Sequence, residues 1–280
     1  MELPEVEVVR RDLEKDVVGR RVAEVEVRRM KNSKRVIRRH KTPKEFRDRL
    51  KGHKFTRADR KGKYVLLQLD DGHVLVVHFG MSGRFLRGNK RLPLDNHTHV
   101  IITFQQGGDL RLVDPRTFGE MFVRPADELG RVKELAHIAI DPLESTFTWQ
   151  QFSNVLARRA TKLKPLLMDQ QFVSGLGNIY SDEVLFAAGL RHDRNSAELS
   201  AQEVRRLYRS IQEIVQEAIR FRGTTLGDEA YVDVYGKPGE YQSELKVYGR
   251  RGEPCRRCRT PIEVVKYSGR NSYFCPQCQS

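Results

Sequence analysis

The period of the apolar positions changes along this chain, and each change predicts a different element. Val6, Val9, Leu13 and Val17 recur at helical spacing behind Pro4, and Gly19 ends the run, so the first element is expected to be a helix. Strand patterns follow. Tyr64 to Leu69, then Asp70-Asp71-Gly72, then Val74 to Val77 predicts a hairpin with an Asp-Gly turn. A second hairpin is expected from Val100–Phe104 through Gln106-Gly107-Gly108-Asp109 to Leu110–Val113. After about residue 135 the texture becomes helical: Asp141-Pro142 opens a connector, and Phe152, Leu156, Leu166 and Leu167 follow Thr148 at helical spacing. Further helices are expected over 181–190 and 201–220, with Gly175-Leu176-Gly177-Asn178 as a glycine-rich turn ahead of them. The reading is an α+β chain with four pieces. Residues 1–135 form an antiparallel β-sandwich with an edge helix, 136–150 a linker, 151–249 a helical domain, and 250–280 a separate cysteine-bearing hairpin.

Length and charge sharpen this picture. The 280 residues suffice for two domains with their own cores. No apolar run approaches a membrane span, and the start Met1-Glu2-Leu3-Pro4-Glu5 has no leader-like character, so a cytoplasmic protein is expected. The formal charge is +14, and 17 of the basic residues against 3 acidic ones fall between Arg28 and Lys63. Such a field attracts polyanions, and each neutralised DNA phosphate also releases a counterion. A basic face serving only solubility is the plain alternative. A basic membrane helix is disfavoured because Pro43, Gly52 and Gly62 interrupt the stretch.

All four cysteines lie in Cys255-x2-Cys258 and Cys275-x2-Cys278, with sixteen residues between the pairs. Each pair can turn two thiolates toward one tetrahedral ion, so a single structural zinc is expected. Two disulfides are the alternative, disfavoured in a chain without an export signal. Arg270 follows Gly269 inside this hairpin, where it is solvated or carried toward a phosphate.

With these residues laid out, the chain resembles the formamidopyrimidine-DNA glycosylase/endonuclease VIII family from end to end. Glu2 to Glu7 resembles the N-terminal signature, and Lys63 falls where the family keeps a catalytic lysine before a strand. Gly80-Met81-Ser82-Gly83 and Asp114 to Gly119 match two loops that fill the gap left by an everted base. Asp169, Gln170 and Gly175 to Tyr180 resemble the helix–two-turn–helix element, and Thr224-Thr225-Leu226, Val247 to Arg250 and the cysteine hairpin complete the match. The resemblance implies a β-sandwich, a helix–two-turn–helix domain and a zinc hairpin, with damaged double-stranded DNA held in a cleft by a monomer. It implies base-excision repair of oxidised purines, 8-oxoguanine and formamidopyrimidines, in a bacterial-type cytoplasm where the enzyme sits on the nucleoid when bound to DNA.

The resemblance also assigns roles. The N-terminal amine, here that of Met1, attacks the sugar C1′ and expels the base, and β,δ-elimination then cuts the strand. Glu2 is the general acid and base, Lys63 assists base loss and β-elimination, and Arg270 is credited with δ-elimination. Taken alone, Glu2 reads as a helix cap and Lys63 as one more phosphate contact. Met81 and Phe118 would wedge between stacked bases while Arg116 bonds the orphaned partner base, although isolated apolar residues default to core packing. His97, Arg159, Lys164 and Asn178 would meet phosphates, Asn178 at a helix start whose N–H groups favour an anion.

One residue departs from the family. Its members carry proline after the initiator methionine, whereas Glu2 follows Met1 directly here. Met1 is then expected to remain and offer a primary amine, with an ordinary pKa of about 7.7–8.0 that a helix start lowers further. An altered proline or a different true start stands beside this reading. Two rival functions also stand: an endonuclease VIII-like enzyme for oxidised pyrimidines, and a catalytically weakened DNA-binding paralogue.

Overall fold

The computed structural model describes residues 1–89, 91–227, 231–267 and 269–280, which pack as two units. Met1, Leu3–Ala136 and Phe221–Glu240 form the first, and Glu2, His137–Arg220 and Tyr241–Ser280 the second. In chain order the first unit runs α1 (Leu3–Asp16), β1 (Val22–Val27), α2 (Pro43–Asp48), β2 (Phe55–Lys61), β3 (Tyr64–Leu69), β4 (His73–His78), β5 (Arg84–Gly88), β6 (Thr98–Phe104), β7 (Asp109–Val113), β8 (Glu120–Pro125) and α3 (Lys133–Ala136). The strands form two antiparallel sheets, ordered β1-β6-β7-β5 and β2-β3-β4-β8.

Both expected hairpins are present, as β3–β4 and β6–β7. Gly72, Gly107 and Gly108 take positive φ in their turns, a conformation that costs glycine little. Along β3 every second residue, Val65, Leu67 and Leu69, is buried, the period of a strand with one face inward. Inward residues of both sheets, among them Val100, Ile102, Leu75 and Val77, join Val6, Val9 and Leu13 of α1 in one core. That is the sandwich with its edge helix.

The same core takes in Tyr231 and Val234 from far along the chain. The pattern of apolar positions kept 151–249 in one helical piece, but Phe221–Glu240 packs with the sandwich. The cause is local: Glu5, buried in α1, accepts the Thr224 N–H at 2.9 Å, and Arg222 bridges Asp12 and Asp233 at 2.6 Å each.

The second unit holds α4 (Trp149–Leu156), α5 (Leu163–Met168), α6 (Asn178–Ala188), α7 (Ala201–Arg220), β9 (Glu263–Tyr267) and β10 (Arg270–Phe274). The Thr148 hydroxyl caps α4 by accepting the Gln151 N–H, and Gly189 ends α6 in the left-handed region. Leu207, Ile211, Ile214, Val215 and Ala218 form the buried stripe of α7. Among the described residues no helix is long and apolar enough to cross a membrane.

Candidate functional site

The start of α1 places the amine of Met1 against the loop after β4, where it donates to the Gly80 carbonyl at 3.2 Å. Lys63 occupies the turn of the β2–β3 hairpin. Lys61 pairs with Tyr64, which leaves Gly62 and Lys63 as a two-residue loop with Gly62 at φ 55°. Arg60 fixes that turn by donating to Glu7 at 3.1 Å and to the Gly62 carbonyl at 2.9 Å.

The charges of both amines act on His78, which sequence reasoning passed over. It pairs with Tyr64 across the sheet, the ring centroids 4.6 Å apart, and its Nδ1 accepts the Gly80 N–H at 3.3 Å. Burial, reinforced by the charges of the Met1 amine and Lys63, lowers its pKa to about 4. His78 is therefore neutral at neutral pH. Its only sequence signal is a polar residue closing the apolar run Val74–Val77.

The Glu2 side chain reaches a helix other than the one it precedes. Its carboxylate accepts the N–H groups of Gly177 at 2.6 Å, Ile179 at 2.9 Å and Tyr180 at 3.4 Å, at the start of α6. A Cβ on Gly177 would stand 2.5 Å from the Glu2 carboxyl carbon, so a side chain there would displace the carboxylate. Asn178 opens that helix. The helix start does attract an anion, and the anion is Glu2. The Asn178 side-chain amide instead donates to the Tyr248 hydroxyl at 3.3 Å. Ahead of it, Gln170 holds the two turns together: its amide donates to the carbonyls of Met168 and Leu176, and its Oε1 accepts the Gly175 N–H.

Met81 and Phe118 are 59% and 52% exposed, against the default that such residues join the core. The Arg116 guanidinium lies 5.0 Å from the Phe118 ring centre, and His97 is exposed in the same unit. Part of the basic run is neutralised internally, since Arg38 and Arg39 both pair with buried Glu120.

In the second unit Arg159 lines an open depression of about 470 Å³ together with Arg158, Thr161 and Asp169. Arg270 is exposed at the start of β10, opposite Tyr267. Lys164 is a correction. Expected at a phosphate, it is buried, its ammonium 2.8 Å from Asp182 and donating to the Asn271 carbonyl at 2.6 Å. Asp182 also accepts the Tyr273 N–H at 2.9 Å, so the pair fastens α5 and α6 to β10. Burial pushes Lys164 down and Asp182 up, each opposed by the other's charge.

The ligand atoms of Cys255, Cys258, Cys275 and Cys278 all lie within 4.8 Å of one another. Sulfur pairs at 3.4 and 3.9 Å are far from disulfide length. The Thr260 hydroxyl and N–H bring Cys258 down to about 6, while burial and the neighbouring sulfurs push Cys278 up to about 12. Crowded thiols of this kind fit one tetrahedral zinc, which would hold them as thiolates and cross-link the hairpin. Among the described residues, Phe186, Val247 and Ile262 form with Cys255 and Cys275 an apolar patch behind the site, and Tyr273 packs against it.

Comparison with known proteins agrees with this layout. Residues 1–121 match the formamidopyrimidine-DNA glycosylase N-terminal domain, 138–230 its H2TH domain, and 252–280 a zinc finger found in FPG and IleRS. A formamidopyrimidine-DNA glycosylase of Pelotomaculum thermopropionicum is 41% identical over 99% of this chain and 98% of its own. The Lactococcus lactis Fpg solved with DNA containing an abasic site is 33% identical, with a TM-score of 0.91 over the whole of both chains. A complex of the same bacterium's protein with DNA containing an oxidised pyrimidine has a TM-score of 0.89, again over both whole chains at 33% identity. The chain belongs to the formamidopyrimidine-DNA glycosylase family, the DNA-repair glycosylases that are also lyases at abasic sites.

Proposed function

We propose that this chain excises oxidised purines, 8-oxoguanine and formamidopyrimidines, from duplex DNA and cleaves the resulting abasic site by β,δ-elimination. The observation that carries the reading is the Met1 amine, held at the Gly80 carbonyl one residue from exposed Met81. A nucleophile beside an apolar wedge is what attack on an extruded nucleotide needs.

In this reading the neutral amine forms a bond to C1′ as the bond from C1′ to the base breaks, and the departing base takes up a proton. The C1′–O4′ bond of the aminal then opens with a proton delivered to O4′, and the protonated imine that remains makes the C2′ proton acidic. Its removal expels the 3′ phosphate, and a second elimination expels the 5′ phosphate. Glu2, next in the chain to the amine and fixed by three N–H groups, moves protons at the sugar. Lys63 assists base loss and β-elimination, and Arg270 the δ step. Neutral His78 adds no positive charge of its own beside the amine. Met81 and Phe118 fill the gap, Arg116 bonds the partner base, and His97, Arg159 and Asn178 remain the proposed contacts around phosphates.

Borohydride trapping on duplexes with one defined lesion, followed by peptide mass analysis, tests the reading. The expected result is an adduct on Met1, formed faster with 8-oxoguanine than with an oxidised pyrimidine. An adduct on Lys63 would overturn the nucleophile assignment. No adduct with any lesion would leave a DNA-binding paralogue. Faster trapping on the pyrimidine would establish the second reading, which the Lactococcus complex with such DNA favours.

A further inference from the structure

We infer that the buried carboxylate of Asp114 is a positioning residue that locks the two wedge loops together and thereby sets discrimination of the base opposite the lesion. The inference rests on the reading of Met81, Arg116 and Phe118 as the wedge.

Asp114 closes β7 and is fully buried. Its Oδ1 accepts the Ser82 hydroxyl at 2.7 Å and the Arg116 N–H at 3.3 Å, and its Oδ2 accepts the Gly119 N–H at 2.8 Å. Ser82 completes the ring, since its hydroxyl oxygen also accepts the Arg116 N–H at 3.2 Å. One carboxylate thus grips the loop that carries Met81 and both ends of the loop that carries Arg116 and Phe118. The backbone of Asp114 is itself anchored. Its carbonyl faces His99 Nε2 at 3.0 Å, and His99 Nδ1 faces the Ser33 hydroxyl at 2.9 Å.

The loops are also pressed backbone to backbone. A Cβ on Gly80 would lie 2.7–2.9 Å from the main chain of Phe118 and Gly119, so any side chain there would separate them. Thr117 is held at φ 54°, a strained conformation for a β-branched residue that persists only where surrounding contacts impose it. Because Gly80 also accepts from the Met1 amine, the clamp sets wedge and amine in one register.

The chemistry demands aspartate. A carboxylate offers two acceptor oxygens to the donors converging on it, whereas an amide would turn an NH2 toward one of them and leave a buried donor unpaired. Wedging requires exposed apolar side chains on a backbone that does not yield when they press on stacked bases.

The test uses the zinc-loaded protein with Asp114→Asn, Ser82→Ala and both together. It reads the fluorescence of 2-aminopurine placed opposite a tetrahydrofuran abasic analogue, and the excision ratio for 8-oxoguanine opposite cytosine and opposite adenine. Wild-type protein should raise the fluorescence. Asp114→Asn should lose most of that rise and reduce the excision ratio about tenfold, Ser82→Ala a few fold, and the double variant no more than Asp114→Asn alone. If Asp114→Asn does not fold, Ser82→Ala decides by the same two readouts. Full retention of both by folded variants, or equal loss of excision opposite both bases, would overturn the clamp. No rise with wild-type protein would overturn the wedge reading, and the clamp with it.

Discussion

The wedge loops of the sandwich and the zinc hairpin of the helical unit are both too short to own a core, yet both present function-bearing side chains. They are fastened by different physics. The wedge loops join β4 to β5 and β7 to β8 of a two-sheet sandwich, so a carboxylate, a hydroxyl and backbone N–H groups suffice to fix them. Among the described residues the hairpin has two paired strands, a small apolar patch and ring contacts of Tyr273 and Phe274. It therefore relies on four cysteines and on the Lys164–Asp182 pair, whose members reach β10 through Asn271 and Tyr273. Hydrogen bonds finish a structure whose backbone is already ordered by burial. Where burial is scarce, a metal and an ion pair must supply the order itself.

The largest effect should come from removing the metal. Cys258→Ser is expected to release zinc and abolish DNA binding, since metal-linked folding of such sites is on the order of 10 kcal/mol. Metal analysis with a duplex-binding assay checks it, and full affinity in a metal-free variant would falsify the contrast. Next is the ion pair. Lys164→Met strands a buried carboxylate and should cost about 3 kcal/mol in urea unfolding, most of it restored by adding Asp182→Asn, which still accepts the Tyr273 N–H. A double variant no more stable than the single one would show that the pair does not act as a unit.

In the sandwich, His78 gives a pH signature. Its folded pKa of about 4 lies below the ordinary 6.5, so the unfolded chain binds its proton first as pH falls. The stability it contributes is present above about 6.5 and lost as pH falls toward 4. From pH 7 to pH 5 the wild type should lose about 2 kcal/mol more than His78→Asn. Parallel losses in the two proteins would show that His78 is not held neutral. The smallest effect separates two basic residues of the helical unit. Arg159→Ala should lower the slope of log affinity against log salt by about one, while Lys164→Met, its ammonium already enclosed, should leave the slope as it is. A lowered slope for Lys164→Met would return that residue to the phosphates.

Much of the fold was legible because burial leaves a local period. Val65, Leu67 and Leu69 announced a strand, the residues from Leu207 to Ala218 a helix, and the paired Cys-x2-Cys a metal site, each from spacing alone. Lys63 stands directly before β3 and Arg270 opens β10, as their local sequence implied. What stayed hidden depends on partners far along the chain. Glu2 reads as a cap of its own helix until Gly177, 175 positions on, offers its N–H. Lys164 reads as one more basic surface residue until Asp182 and Asn271 enclose it. Asp114 and His78 carry no periodicity at all, and Phe221–Glu240 gives no local sign that it completes a sandwich begun at residue 3. The sequence by itself determined which segments are helix, strand and metal hairpin, since those follow from side-chain period and ligand spacing within a few residues. Only the tertiary structure decided which charged groups face solvent and which face one another, because a buried charge is stable only where the fold brings a distant donor or counter-charge to it.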